Sequence, residues 1–382
     1  MDWKSFARSA AKSVAANALH YSGMHGLLAR AARVAVGGRR VLILSYHRVV
    51  EDFESEQRRA IPGLLLSVAT FERQLDELLR AGFDIVPLGE AMRVVSGELE
   101  PRRDAAVLTF DDGYRDVYDH AFPVLARRGH PATVYLASGL VSSGARFPHD
   151  RLYHLIKLKL GGSSGRTRNV VASELVDARA ALAVERLISR RPADELLRLI
   201  ARIEKSLGCA ADPVPPSGEP LSWEMVAKMA DAGIEFGAHT VNHVVLTHES
   251  EEAIDREIAA SKREIEQRLG RPVRDFAYPN GYYDQRVVAA LVRHGFRSAV
   301  TTEDLPNRVG GDPFRLKRKT LWENFSRGPF GYSANLTACH IDDVFGMLSL
   351  TRPVLGERNR FAASAPIGAE GSGPLPRRAP GP

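Results

Sequence analysis

A chain of 382 residues with 44% hydrophobic and 26% charged residues has the composition of a soluble globular protein, which excludes wholesale disorder and collagen-like repeats. Its two cysteines, Cys209 and Cys339, exclude a disulfide scaffold and read as unpaired thiols in a reducing compartment. The net charge is +6, but seven cations (Lys4, Arg8, Lys12, Arg30, Arg33, Arg39, Arg40) and one anion, Asp2, fall in residues 1–40, so the remainder is neutral and a nucleic-acid-binding body is not expected.

No stretch has the roughly 18 consecutive apolar residues of a membrane span. Arg8, Lys12, Asn17 and His20 interrupt any secretory core, so a cytoplasmic location, at most against the inner face of the membrane, is expected. Trp3, Phe6, Ala10, Val14, Ala15, Leu19 and Tyr21 recur at near-helical spacing with cations between them. This predicts a basic amphipathic helical arm over residues 1–40, suited either to an anionic membrane surface or to packing on the body.

The body, residues 41–355, begins with Val41–Tyr46, a continuous apolar run that reads as a buried strand. A helix Phe71–Ala81 capped by Thr70 follows, then strand Phe83–Val86, strand Ala105–Phe110, helix Val117–Arg128 and strand Ala132–Ala137. Residues 142–220 carry no strand signal. They read as a helical insertion with helices His149–Leu160, Ser173–Ser189 and Ala193–Leu207, lying beside or over the functional face. Strand Ile234–Ala238, helix Glu251–Leu269, strand Asp275–Tyr278, helix Asp284–His294 and strand Arg297–Thr301 restore the alternation. Such β/α alternation predicts a parallel sheet, open or closed into a barrel. The Pro/Gly-rich residues 356–382 predict a disordered tail.

Chemistry-bearing residues collect where strands end. Thr109-Phe110-Asp111-Asp112-Gly113 closes an apolar strand, and adjacent carboxylates on a strand point in opposite directions. One can ligate a metal while the other stays free as a base, although Asp in such a place also caps helices. His239-Thr240-Val241-Asn242-His243 follows another strand, and histidines four apart meet on one side of a helical turn. Together these supply two imidazoles and a carboxylate, the protein ligands of a catalytic metal. His47 ends the first strand, and Phe276-Ala277-Tyr278-Pro279-Asn280-Gly281 ends another in a turn whose backbone N–H groups could face the site. His149 and His154, five apart, have poor ligand spacing and read as structural; Tyr114, Tyr282, Tyr283 and Trp322 read mainly as partly polar core.

TFDDG, HTVNH and the FAYPNG turn resemble the motifs of the polysaccharide deacetylase family, carbohydrate esterase family 4, over about residues 41–325. The resemblance implies a distorted (β/α)7 TIM-like barrel and metal-dependent removal of acetyl groups, mostly N-acetyl, from an acetylated glycan. It implies Asp111 as catalytic base and Asp112, His239 and His243 as ligands of one divalent ion, Zn2+ foremost, with Co2+ or Ni2+ also suited. The chain departs from the family in having Ala277 where an arginine usually pairs with the base. Arg318 is a candidate replacement. Tyr278 and Asn280 are candidates for oxyanion and substrate contacts. The usual late leucine-x-histidine motif is absent, and YHRV ahead of TFDDG resembles the rearranged poly-N-acetylglucosamine deacetylase branch, which implies His47 as general acid.

Two other readings stay open. Two histidines and a carboxylate also serve non-haem Fe(II) oxygenases, though these need no second carboxylate. A catalytically idle carbohydrate-binding protein on the same fold is the other.

Overall fold

Continuous apolar runs become the walls of a barrel. The computed structural model describes residues 3–35, 38–161, 170–208 and 218–348. Val41–Tyr46 is buried at all six positions, because it is flanked on both edges. The parallel strands run in the order Arg318–Thr320, Val41–Tyr46, Asp104–Phe110, Thr133–Leu136, Glu235–Ala238, Asp275–Ala277 and Ser298–Val300. A parallel bridge between Val300 and Leu316, with Thr301 N donating to Leu316 O at 2.7 Å, nearly closes the ring. Phe83–Ile85 pairs with only the first half of Asp104–Phe110, and Thr133–Leu136 takes the second half. The result is the distorted seven-stranded α/β barrel expected from the sequence.

Helices cover the outside by amphipathic packing. Helix Val68–Arg80 buries Phe71, Leu75 and Leu78 against the strands. It starts one turn earlier than predicted, because Ser67, not Thr70, is the cap and accepts from Thr70 N. Glu251–Leu269 has its predicted bounds, with Ser250 as cap and Gly270 in the left-handed conformation at its end. Helix Leu88–Val95 was not predicted, being short and lacking a distinctive period, whereas Arg318 lies on a later strand, Arg318–Thr320, as expected.

The insertion folds as helices Pro148–Gly161, Val170–Ile188 and Ala193–Leu207. They share a separate apolar cluster that includes Leu152, Leu155, Val184 and Ile200. The arm is two helices, α1 (Trp3–Tyr21) and α2 (Met24–Ala35), rather than one. Ser9 Oγ donates to Arg327 O at 2.8 Å, and Arg33 Nε reaches Asp104 Oδ2 at 3.1 Å, so both helices are tied to the barrel. Among the described residues, no helix is long and apolar enough to cross a membrane. The tail predicted for residues 356–382, and Cys209, lie outside the described residues.

Candidate active site

Strand register assembles the site. Val41–Tyr46 and Asp104–Phe110 pair with Tyr46 beside Phe110, so the next residues, His47 and Asp111, emerge side by side. Their Nε2 and Oδ2 atoms are 3.9 Å apart. On the other edge, Ile43 pairs with Arg318, which sends the guanidinium across the barrel interior. Arg318 Nη1 and Nη2 donate to Asp111 Oδ1 and Oδ2, both at 2.7 Å. Arg318 Nη1 also donates to Thr109 Oγ1 and Nε to Thr301 O, so a fully buried cation is satisfied on all sides. Burial works against the Asp111 charge, but Arg318 outweighs it and leaves the carboxyl below its usual range.

The chain reverses sharply after Asp111. Asp112 has φ 71° and Gly113 φ 85°, a turn in which a non-glycine residue costs about 1–3 kcal/mol. Thr240 and His243 share that conformation, with φ 64° and 55°. His239-Thr240-Val241-Asn242-His243 is therefore a turn, not the helical turn expected from the i, i+4 spacing. The left-handed residue at Thr240 stops a helix, yet still lets both rings converge. Glu257 holds this loop: its Oε2 accepts from Val241 N and Asn242 N at 2.8 and 3.0 Å. Sequence reasoning missed that support, which comes from the next helix.

Within the turn, one ligand atom from each of Asp112, His239 and His243 lies within 4.8 Å of the others. His243 Nε2 and His239 Nε2 are 3.1 and 3.4 Å from Asp112 Oδ1, an oxygen that is buried without a hydrogen-bond partner. His239 Nδ1 is 2.7 Å from Ala277 O; as the donor in that bond it leaves the Nε2 lone pair facing Asp112. Two imidazole nitrogens and an otherwise unpartnered carboxylate oxygen are a fitting donor set for one divalent ion. Burial opposes the Asp112 charge, but His243, His239 and His149 hold its pKa well below the ordinary value. Burial also pulls His243 down, and Asp112 more than offsets it, so its pKa is raised.

His149 is the residue that sequence reasoning set aside. Compared with His154 it has poor spacing, but its neighbours come from elsewhere in the fold. The insertion's first helix places its Nε2 3.9 Å from Asp112 Oδ2 and 2.7 Å from Tyr114 Oη, 35 positions away. Tyr114 Oη in turn donates to Asp150 Oδ2 at 2.7 Å. The His149 ring packs edge-on to His243 with centroids 4.9 Å apart. The signal was FPHD at the start of the insertion helix, legible only with Tyr114 in view.

The other residues singled out in the sequence fall in different surroundings. Tyr278 is fully buried, its N–H donates to Val300 O and its hydroxyl to Phe314 O, so it offers no donor for an oxyanion and serves the core. Asn280 is exposed with φ 57°, and its carbonyl accepts from Thr302 Oγ1. Ala277, where the expected arginine is missing, instead anchors His239 through its carbonyl. His47 retains 21% side-chain exposure; burial lowers its pKa more than Asp112 and Asp111 raise it. His340 packs between Phe325 and Phe345, in the core.

A family model described as polysaccharide deacetylase matches residues 98–299. "Putative polysaccharide deacetylase YxkH" of Bacillus subtilis is 21% identical over 263 residues, 68% of this chain and 67% of that protein. Among solved structures, the Streptococcus pyogenes deacetylase PplD in complex with acetate aligns with a TM-score of 0.52 and 20% identity, over 76% of this chain and 95% of that one. IcaB from Ammonifex degensii aligns at 0.48 with 21% identity, over 74% of this chain and 92% of its own.

Proposed function

This chain belongs to the polysaccharide deacetylase family, and from that premise we propose that it hydrolyses acetyl groups, N-acetyl foremost, on an acetylated glycan. The observation that carries the reading is one buried cluster. Asp112, His239 and His243 converge as a ligand set, while the adjacent Asp111 is kept out of it, clamped by Arg318. Two neighbouring carboxylates thus have two different jobs.

Asp112, His239 and His243 would hold the divalent ion, Zn2+ foremost. When bound, such an ion supplies Lewis-acid chemistry, polarising a carbonyl and acidifying a water. Asp111 accepts the proton of the attacking water as the oxygen adds to the acetyl carbon. Arg318 keeps Asp111 ionised and fixes its plane, so the base is ready at neutral pH. The carbon–nitrogen bond then breaks, and the amine must leave protonated. His47 delivers that proton. Burial lowers the pKa of the imidazole, and His47 receives the proton during turnover from the Asp111 side. The separation of 3.9 Å is short enough for one bridging oxygen to touch both groups. One of the water's protons therefore ends on the amine and the other stays on the acetyl carboxyl, so the balance closes as acetic acid and amine, which at neutral pH become acetate and ammonium.

Nothing in the site favours an Fe(II) oxygenase, in which the Arg318–Asp111 pair has no task. Acetate release from N-acetylglucosamine oligomers, with and without chelator, tests the proposal. Release that stops with chelator and returns with Zn2+ supports it. Release indifferent to metal, or none with the metal site filled, sinks it.

A further inference from the structure

We propose that the outward face of the α1–α2 helix pair is a docking surface for an anionic lipid membrane. The pair presents apolar side chains to water as well as to the body. Its buried apolar positions are small, Ala16, Ala29 and Ala32, and Ala16 packs with the partly buried Leu19 and Leu28 on the C-terminal helices, including Ala334–Ile341. Four other large apolar side chains point outward: Tyr21 is 82% exposed, Met24 45%, Leu27 64% and Val34 74%. On α2 these recur every three, then seven residues, so they form one stripe along one face. Clustered exposed apolar side chains of this kind mark an interaction site rather than a water-facing surface.

Charge selects the occupant. Between residues 3 and 50 the chain has no Asp or Glu; Arg30, one turn from Val34 on α2, is exposed, and so is Arg39 in the segment that follows. A second copy docking here would set cations against cations with no anion to offset them. An anionic headgroup layer offers the reverse, with an apolar boundary beneath it for the stripe. Arg33 and Arg40 are not part of this surface, since both are spent on Asp104. That contact also places α2 at the start of strand Asp104–Phe110, the end opposite Asp111 and Asp112. Docking through α2 therefore leaves the catalytic rim uncovered.

The test is co-sedimentation of the full chain with vesicles of phosphatidylcholine alone or of equimolar phosphatidylcholine and phosphatidylglycerol. Wild type should sediment with the anionic vesicles only, and less so as salt screens the cations. A variant carrying Tyr21→Ser, Met24→Ser, Leu27→Ser and Val34→Ser should bind at least about tenfold more weakly, with an unchanged circular dichroism spectrum. Arg30→Gln with Arg39→Gln should weaken binding to anionic vesicles without removing the apolar stripe. Equal binding to both vesicle types, no binding to either, or unchanged binding by the Ser variant overturns the proposal. So does a concentration-dependent dimer that the Ser variant abolishes, which would make the stripe a self-association face.

Discussion

Arg318 and Asp111, 207 positions apart in the chain, meet in a two-pronged pair with both bonds at 2.7 Å. The pairing of Ile43 with Arg318 in neighbouring strands delivers the guanidinium, not a motif near the Asp pair. The arginine thus comes from a strand separated from Asp275–Ala277 by one strand, Ser298–Val300.

Arg318→Ala should leave a buried carboxylate uncompensated. Removing one partner of a buried pair costs about 3–5 kcal/mol, read as a lower chemical-denaturation midpoint. Asp111 has a folded pKa depressed below the unfolded value, so the pair's contribution is full above that value and is lost as pH falls through the folded one. Without Arg318 only His239 and His47 oppose burial, so the Asp111 pKa rises, and the acid limb of activity moves to higher pH. A limb that stays in place would show that Arg318 does not tune the base.

His47→Gln should lower turnover on an N-acetyl sugar by at least about 10²-fold, the usual scale for an acid–base group, with metal content unchanged. An activated phenyl acetate, whose leaving group needs no proton, should recover much of that loss. Equal impairment on both substrates would remove His47 from the acid role.

His149→Ala should weaken metal binding by about tenfold, the lower end of what losing a partner that orients metal ligands costs. The reason is the ring's contact with His243 and its position beside Asp112. Titrating apo protein with Zn2+ against a competing chelator measures it; an unchanged affinity would reduce His149 to a wall of the insertion.

His340 gives a pH prediction outside the site. Burial holds its pKa well below 6.5, so between that folded value and the unfolded value of about 6.5 the unfolded chain binds the extra proton. Stability is full above the unfolded pKa and falls as pH drops, by at most about 1.4 kcal/mol per pH unit per histidine. His340→Phe should flatten the fall of melting temperature below the unfolded pKa. An unaltered slope would contradict it.

What the sequence discloses depends on how local the cause is. Val41–Tyr46 and Glu251–Leu269 were legible to the residue, because a buried run and a capped 3.6-period helix are local patterns. TFDDG and HTVNH located the ligands, but not the turn that joins them, since Val241 and Asn242, between the left-handed Thr240 and His243, are held by Glu257 from another helix. Tyr278 was misjudged because its partners, Val300 and Phe314, are set by barrel closure. Arg318 could be named only as a candidate and His149 not at all. Each acts through a contact made by strand order or by the docking of the insertion, which spacing along the chain does not carry.

The division of labour between Asp111 and Asp112 is the centre of this account, and a paired measurement tests it most directly. Asp111→Asn and Asp112→Asn are prepared side by side, and each is assayed for bound metal by mass spectrometry and for acetate release from N-acetylglucosamine oligomers. The expected result is that Asp111→Asn keeps its metal and loses turnover, because an amide cannot accept the water's proton, whereas Asp112→Asn loses metal and activity together. An empty site in Asp111→Asn beside a full one in Asp112→Asn would contradict it.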